Sequence, residues 1–152
     1  SVGTAILGAF GFAVGITGLS ERAAVKAGIK HQIIHVHPNN HAGYYPGAKR
    51  LSMKVRFDPE TGKILGAQAN GEDGVDKRID VIATAMHATA KHGGLTIDDL
   101  MDLELAYAPQ FGSAKDAINI ADDGLRAVVF DGFRLDPDDV NLGVVMGSGV
   151  DQ

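Results

Sequence analysis

The chain has 152 residues, enough for one domain with a substantial core, and is 45% hydrophobic and 22% charged, as globular proteins are. Its net charge of −5 comes with scattered basic residues, which argues against nucleic acid as a partner, and no apolar run approaches the roughly 20 residues that span a membrane. Cysteine is absent, which excludes disulfides, thiolate metal sites and cysteine catalysis by this chain.

Val2 to Leu19 is apolar and glycine-rich and lacks the positive n-region of a secretory leader, so a cytoplasmic location is expected. The first residue is Ser1 rather than Met, and the chain enters a strand-like run almost at once. That points to a segment of a longer polypeptide. Residues 4–17 read as one strand-like run, with Gly8 and Gly11 inside it. Ser20 reads as the N-cap of a short helix with Glu21 in its first turn, and Gly28 as the residue just past its end. Gln32 to Val36 follows as a short strand closed by Pro38-Asn39-Asn40. Leu51, Met53, Val55 and Phe57 alternate with Arg50, Ser52, Lys54 and Arg56, which predicts one buried and one wet face. Asp58 to Gly62 is a turn sequence, and Ile64 to Ala69 returns as the partner strand.

Val75 to Lys91 is the strongest helix, because Val75, Ile79, Ile82, Met86 and Ala90 form one apolar stripe. Asp73 and Lys77 add an i,i+4 pair if the helix begins early, and His92-Gly93-Gly94 stops it. Thr96 with Asp99 forms a capping pair for a short helix through Leu103. Pro109 breaks the chain, and Ser113 can cap another helix carrying Ala117, Ile118 and Ala121. Strands first and helices later give an α+β fold, with an antiparallel pair covered by helices.

Tests for chemistry mostly return structural readings. No G-x-G-x-x-G precedes a helix in a βαβ context, so the chain is expected to bind neither flavin nor nicotinamide by itself. His31, His35, His37 and His41 cluster, and on a strand His35 and His37 share a face, as a metal pair would. Solvated or hydrogen-bonded histidines are the commoner outcome, which leaves a histidine metal-binding module as the alternative reading and no metal as the expectation. Ser20 and Ser113 read as caps rather than nucleophiles, and Asp98, Asp99, Asp102 and Glu104 as a solvated helix surface. Tyr44, Tyr45 and Tyr107 sit in turn-like segments beside proline, HAGYYPG and AYAPQFGS. A phenol there serves as a packing or rim residue, or buries its ring at an interface while its hydroxyl donates.

Several segments together resemble one family. They are Gly3 to Glu21, His41 to Gly47 (HAGYYPG), Ile64 to Gln68 (ILGAQ), Gly74 to Asp80 (GVDKRID) and Leu105 to Asp116 (LAYAPQFGSAKD). In this order they are similar to the dimerisation domain of flavoprotein pyridine nucleotide-disulfide reductases, of the coenzyme A-disulfide reductase and NADH oxidase type. The resemblance implies a five-stranded, mostly antiparallel sheet with helices packed on one face. It makes residues 1–121 the dimerisation domain, with 1–20 as the strand entering from the flavin-domain junction. It also implies a homodimer, with FAD, NAD(P)H and the redox cysteine held by other domains of the parent chain. Tyr44 and Tyr107 are then the tyrosines lent to the partner subunit's thiol and coenzyme A site, with Tyr45 a possible accessory. Coenzyme A disulfide, coenzyme A persulfide, polysulfide and dioxygen are all reduced within this group, and the choice among them depends on residues outside this chain. His37-Pro38 resembles the His-Pro dipeptide of glutathione reductase-type enzymes, but it precedes the tyrosine loop and lacks the downstream glutamate. Tyr107-Ala108-Pro109 stands at the corresponding late position instead. Residues 122–152 depart from the family pattern as an atypical tail: the start of a fused rhodanese-like domain, a divergent end and a foreign sequence all fit it.

Overall fold

A computed structural model describes residues 3–92 and 95–121. Five strands, β1 (Ala5–Ala9), β2 (Phe12–Gly18), β3 (Gln32–Val36), β4 (Leu51–Phe57) and β5 (Ile64–Gly71), form one sheet in the order β1-β2-β5-β4-β3. Every neighbouring pair is antiparallel. The helices are α1 (Glu21–Lys26), α2 (Val75–His92) and α3 (Ile97–Met101), followed by a helical turn at 117–121. Gly93, Gly94 and the whole 122–152 tail lie outside the described residues.

The opening run is a hairpin rather than one strand. Ala9 pairs with Phe12, which leaves Phe10 and Gly11 as a two-residue loop, both at positive φ (53° and 77°). This is the turn whose twist matches the flanking strands, and it needs a left-handed second residue that glycine supplies. The apolar character of AILGAFGFAVGIT hid that turn signal, because the usual Asn or Asp is replaced by phenylalanine.

The core lies on one face. Alternation places Leu51, Met53, Val55 and Phe57 of β4 beside Ala67 and Ala69 of β5, and over them lie Val75, Ile79, Ile82 and Ala85 of α2. Small residues let α2 approach the sheet. A Cβ at Gly15 of β2 would stand 2.6 Å from Ile79 Cγ1. Ile97 and Leu100 of α3, with Ala117, Ile118 and Ala121, close the same layer. The shorter α1 borders the opposite face, where its Glu21 pairs with Lys54. That hydrogen bond holds the Glu21 carboxyl below its ordinary value.

The opposite face is not uniformly wet. Arg56 is completely buried, donating from Nε to the Leu19 carbonyl at 2.9 Å, while its two terminal nitrogens have no hydrogen-bond partner among the described residues. Burial pulls the guanidinium below its ordinary value, and the Glu21 charge partly offsets this. Alternation separates the two faces of β4, but it does not reveal that this arginine is buried and bound to the Leu19 carbonyl.

The ends of the elements follow local chemistry. Ser20 Oγ accepts from Ala23 N, and past α1 the Gly28 and Ile29 amides reach back to the Val25 and Ala24 carbonyls, both at 3.0 Å. Thr96 and Asp99 form a reciprocal capping box on α3, which ends at Met101 rather than Leu103. Hydrogen bonds from Thr96 hold the Asp99 carboxyl below its ordinary value, so this cap stabilises above the unfolded pKa and is lost as pH falls through the folded one.

At the end of β2, Gly18 has φ of 71°, and a Cβ there would lie 2.4 Å from the Leu65 carbonyl oxygen. Gly18→Ala is therefore expected to cost about 2–4 kcal/mol, combining left-handed strain with overpacking. Urea unfolding should show a lower midpoint at unchanged slope. A midpoint equal to that of the parent chain would contradict this packing.

Candidate functional site

Two loops carry the tyrosines, and one buried arginine ties them together. Asn40 closes the first loop at its base: its amide donates to the Lys49 carbonyl and its Oδ1 accepts from Lys49 N, both at 2.8 Å. Asn40 Nδ2 donates to Asp73 Oδ2 at 2.9 Å. The Asp73–Lys77 pair required an early helix start, but α2 begins at Val75 and Lys77 Nζ donates to the Phe111 carbonyl at 3.4 Å.

Arg78 lies on the buried side of α2, between Val75 and Ile82. Its Nε and Nη2 grip the Asp116 carboxylate at 3.0 and 2.6 Å. Nη2 also donates to the Asn40 carbonyl at 2.7 Å, and Nη1 to that of Gly74 at 3.1 Å. The forked guanidinium matches the carboxylate bidentately, which is a strong form of ion pair. Asp116 in turn accepts from Ile118 N at 3.2 Å, and Asn119 Oδ1 accepts from Asp116 N at 3.1 Å. The cap of the turn at 117–121 is therefore Asp116, and not Ser113 as expected. Asn119 Nδ2 is spread over the Leu100, Met101 and Leu103 carbonyls at 3.0–3.3 Å, so the same turn completes the end of α3.

The loops meet directly as well. The Ala42 amide is shared between the Pro109 and Gly112 carbonyls at 3.2 and 3.0 Å, and the Phe111 and Gly112 amides bend back to the Ala108 carbonyl. Leu103 and Leu105 pack against the core, and the alternation breaks after Ala106, where Tyr107 is exposed. The result brings Tyr44 and Tyr107 together across 63 residues of sequence, with their hydroxyls 3.3 Å apart and their side chains 77% and 51% exposed. The hydrogen bond that the neutral Tyr44 hydroxyl shares with Tyr107 raises the Tyr44 phenol above its ordinary value. Tyr45 stands beside them, donating to Gln110 Oε1 at 3.1 Å and meeting the buried His41 ring edge-on at 5.7 Å. Phe111 completes an exposed aromatic patch.

The histidines do not converge on a metal. His31 and His41 donate from Nδ1 to the Ile29 and Ala42 carbonyls, and His37 shares a hydrogen bond with Ser52 Oγ. His35 and His37 stack at 6.5 Å, and burial followed by the Lys54 charge pushes the His35 imidazole below its ordinary value. Among the described residues no three potential ligands are grouped to hold a metal ion. No helix among them is long and apolar enough to cross a membrane. Sequence reasoning missed Arg78 and Asp116. The available signal was an arginine three residues after Val75 and four before Ile82, a charge on the apolar stripe of its helix.

Removing the guanidinium should strand Asp116 in the interior. Arg78→Met is expected to lose about 3–5 kcal/mol of unfolding free energy by denaturant titration, and a loss below about 1 kcal/mol would contradict the clamp. The Tyr44 shift carries a sign. A raised folded pKa favours the neutral phenol, so its contribution is present below the unfolded value and lost as pH rises through the folded one. Ultraviolet difference titration should find Tyr44 ionising above an ordinary phenol, and Tyr107→Phe should bring it back.

Comparison with known proteins identifies the family and the fold. Residues 5–117 match the pyridine nucleotide-disulphide oxidoreductase dimerisation domain family. The coenzyme A disulfide reductase of Staphylococcus haemolyticus is 42% identical over 90 residues, which are 59% of this chain and 19% of that protein. The reduced CoADR-RHD structure from Bacillus anthracis superposes with a TM-score of 0.78 at 45% identity, covering 87% of this chain and 23% of that one. An NAD-dependent persulfide reductase from A. fulgidus gives 0.77 at 34% identity, covering 86% and 23%. This chain thus spans about a fifth of the length of the relatives it matches. It belongs to the pyridine nucleotide-disulphide oxidoreductase dimerisation domain family.

Proposed function

We propose that this domain pairs two copies of an FAD- and NAD(P)H-dependent reductase acting on coenzyme A-linked disulfides or persulfides, and that Tyr44 and Tyr107 enter the partner subunit's thiol site. The observation that carries this reading is the pair of phenols brought within hydrogen-bond reach and left exposed at 77% and 51%. Exposed aromatic rings on a rigid base are the side chains interfaces use as anchors. A phenol held neutral can donate to a thiolate or a departing sulfur, lowering the cost of the charge that develops there. Tyr45 and Gln110 extend the donor and acceptor set at the rim.

The glycines of the opening hairpin do not suit a dinucleotide. Gly8 lies in β1, Gly11 in the hairpin turn and Gly15 against Ile79, so none leads into a helix N-terminus that would cradle a pyrophosphate. The flavin and the nicotinamide belong, on this reading, to the rest of the parent chain, and the relatives' greater length leaves room for them. The reading carries with it a cytoplasmic location, where thiols are kept reduced.

Light scattering should find the protein dimeric, with an interface on the order of 2,000 Å². A strict monomer at micromolar concentration would contradict the pairing. In the parent enzyme, Tyr107→Phe is expected to slow disulfide or persulfide reduction about five- to thirty-fold, a hydrogen bond's worth. Unchanged kinetics would reduce Tyr107 to packing.

A further inference from the structure

We propose that Gln110 is a specificity-determining residue that donates from its side-chain amide to the pantetheine arm of a coenzyme A-linked substrate, an inference that rests on the function proposed above. The candidate substrates divide by chemistry. Coenzyme A disulfides and persulfides carry secondary amides behind the sulfur, whereas polysulfide carries none. A surface that selects the first class needs a side chain able to hydrogen-bond an amide, held in place near the phenols.

Gln110 stands in a braced turn. The Ala42 amide is shared between the carbonyls of Pro109 and Gly112, on either side of it in the chain, and the Phe111 and Gly112 amides reach back to the Ala108 carbonyl at 2.8 and 3.0 Å. Backbone fixed in this way has little freedom left to lose on binding. The side chain is exposed yet anchored, because Gln110 Oε1 accepts from the Tyr45 hydroxyl at 3.1 Å. Tyr45 is steadied in turn by the edge-on ring of His41 at 5.7 Å, and His41 is itself buried, with Nδ1 donating to the Ala42 carbonyl at 3.1 Å.

A carboxamide has an accepting end and a donating end. The Tyr45 bond occupies the oxygen, and Nε2 makes no hydrogen bond among the described residues. Nearby donors are committed: Tyr44 and Tyr107 to each other at 3.3 Å, and Lys77 to the Phe111 carbonyl at 3.4 Å. An amide carbonyl accepts well from Nε2, while sulfur accepts weakly. A site that hydrogen-bonds a substrate group discriminates against an analogue that lacks it.

Steady-state reduction of coenzyme A disulfide, pantethine and hydroxyethyl disulfide by the full-length parent reductase and its Gln110→Met and Gln110→Glu variants tests this. Pantethine keeps the amide arm without the nucleotide, and hydroxyethyl disulfide lacks both. An ionised glutamate still accepts from Tyr45 but cannot donate, so Gln110→Glu separates a contact with substrate from the positioning of Tyr45. In both variants the preference for coenzyme A disulfide and for pantethine over hydroxyethyl disulfide, as the ratio of kcat/KM, should fall about five- to tenfold, through KM rather than kcat. An unchanged ratio in both variants would overturn the proposal, as would a fall confined to Gln110→Met, since Gln110 would then only position Tyr45. A parent protein that reduces none of the three would refute the reductase reading. Calorimetric titration with pantetheine then decides on Gln110: weaker binding by both variants supports the contact with the arm, and equal affinity overturns it.

Discussion

The Arg78 guanidinium is the point on which the tyrosine surface depends. It reaches from α2 to the loop that bears Tyr44, through the Asn40 carbonyl, and to the segment that follows Tyr107, through Asp116. Both charges are nearly buried, so the desolvation cost of each is offset only while the other is in place. This makes the arrangement close to all-or-none. The aromatic side chains of the loops point outward, while Ala42 is buried and Leu103 and Leu105 pack against the core. Backbone hydrogen bonds and one ion pair tie the two loops to each other and to α2.

The sheet supports this arrangement by dividing its labour between faces and ends. The face bearing α2 and α3 contains the apolar core, and this face fixes where Arg78 stands. β5 ends at Gly71 and α2 begins at Val75, so Gly74, Asp73 and Asn40 meet where the chain crosses from sheet to helix. The other face and the β1 edge follow a different logic, with a buried Arg56 near α1 and an apolar hairpin beyond it.

Much of the fold was legible because periodicity and caps are local properties. The β4–β5 alternation, the stripe of α2, Ser20 and the Thr96–Asp99 box all express short-range chemistry, and the structure has them where the sequence places them. The hairpin turn was not legible, because Phe10-Gly11 lies within an apolar run in which alternation is blurred on both sides. The Asp73–Lys77 pair, conditional on an early helix start, does not form because α2 begins at Val75, and an asparagine and a loop carbonyl from elsewhere in the chain take the two side chains. The tyrosines stood out locally as turn aromatics, and only the family resemblance set Tyr44 and Tyr107 apart as a pair. Their local sequence says turn and aromatic, and the proximity of Tyr44 to Tyr107 is a long-range consequence of Arg78 and Asp116. Ser113 failed as a cap for a related reason: Asp116 is recruited by the arginine and serves both tasks.

If Arg78 positions the phenols, disturbing its geometry without removing its charge must be felt at Tyr44. Arg78→Lys provides that disturbance, because an ammonium cannot span Asp116, Asn40 and Gly74 together. The decisive measurement is the ultraviolet ionisation curve of Tyr44 in this variant under conditions where it is folded. The account predicts that the Tyr44 phenol falls back toward its ordinary value as the Tyr107 hydroxyl moves out of reach. A curve as raised as that of the parent chain would show that the pair assembles without the clamp.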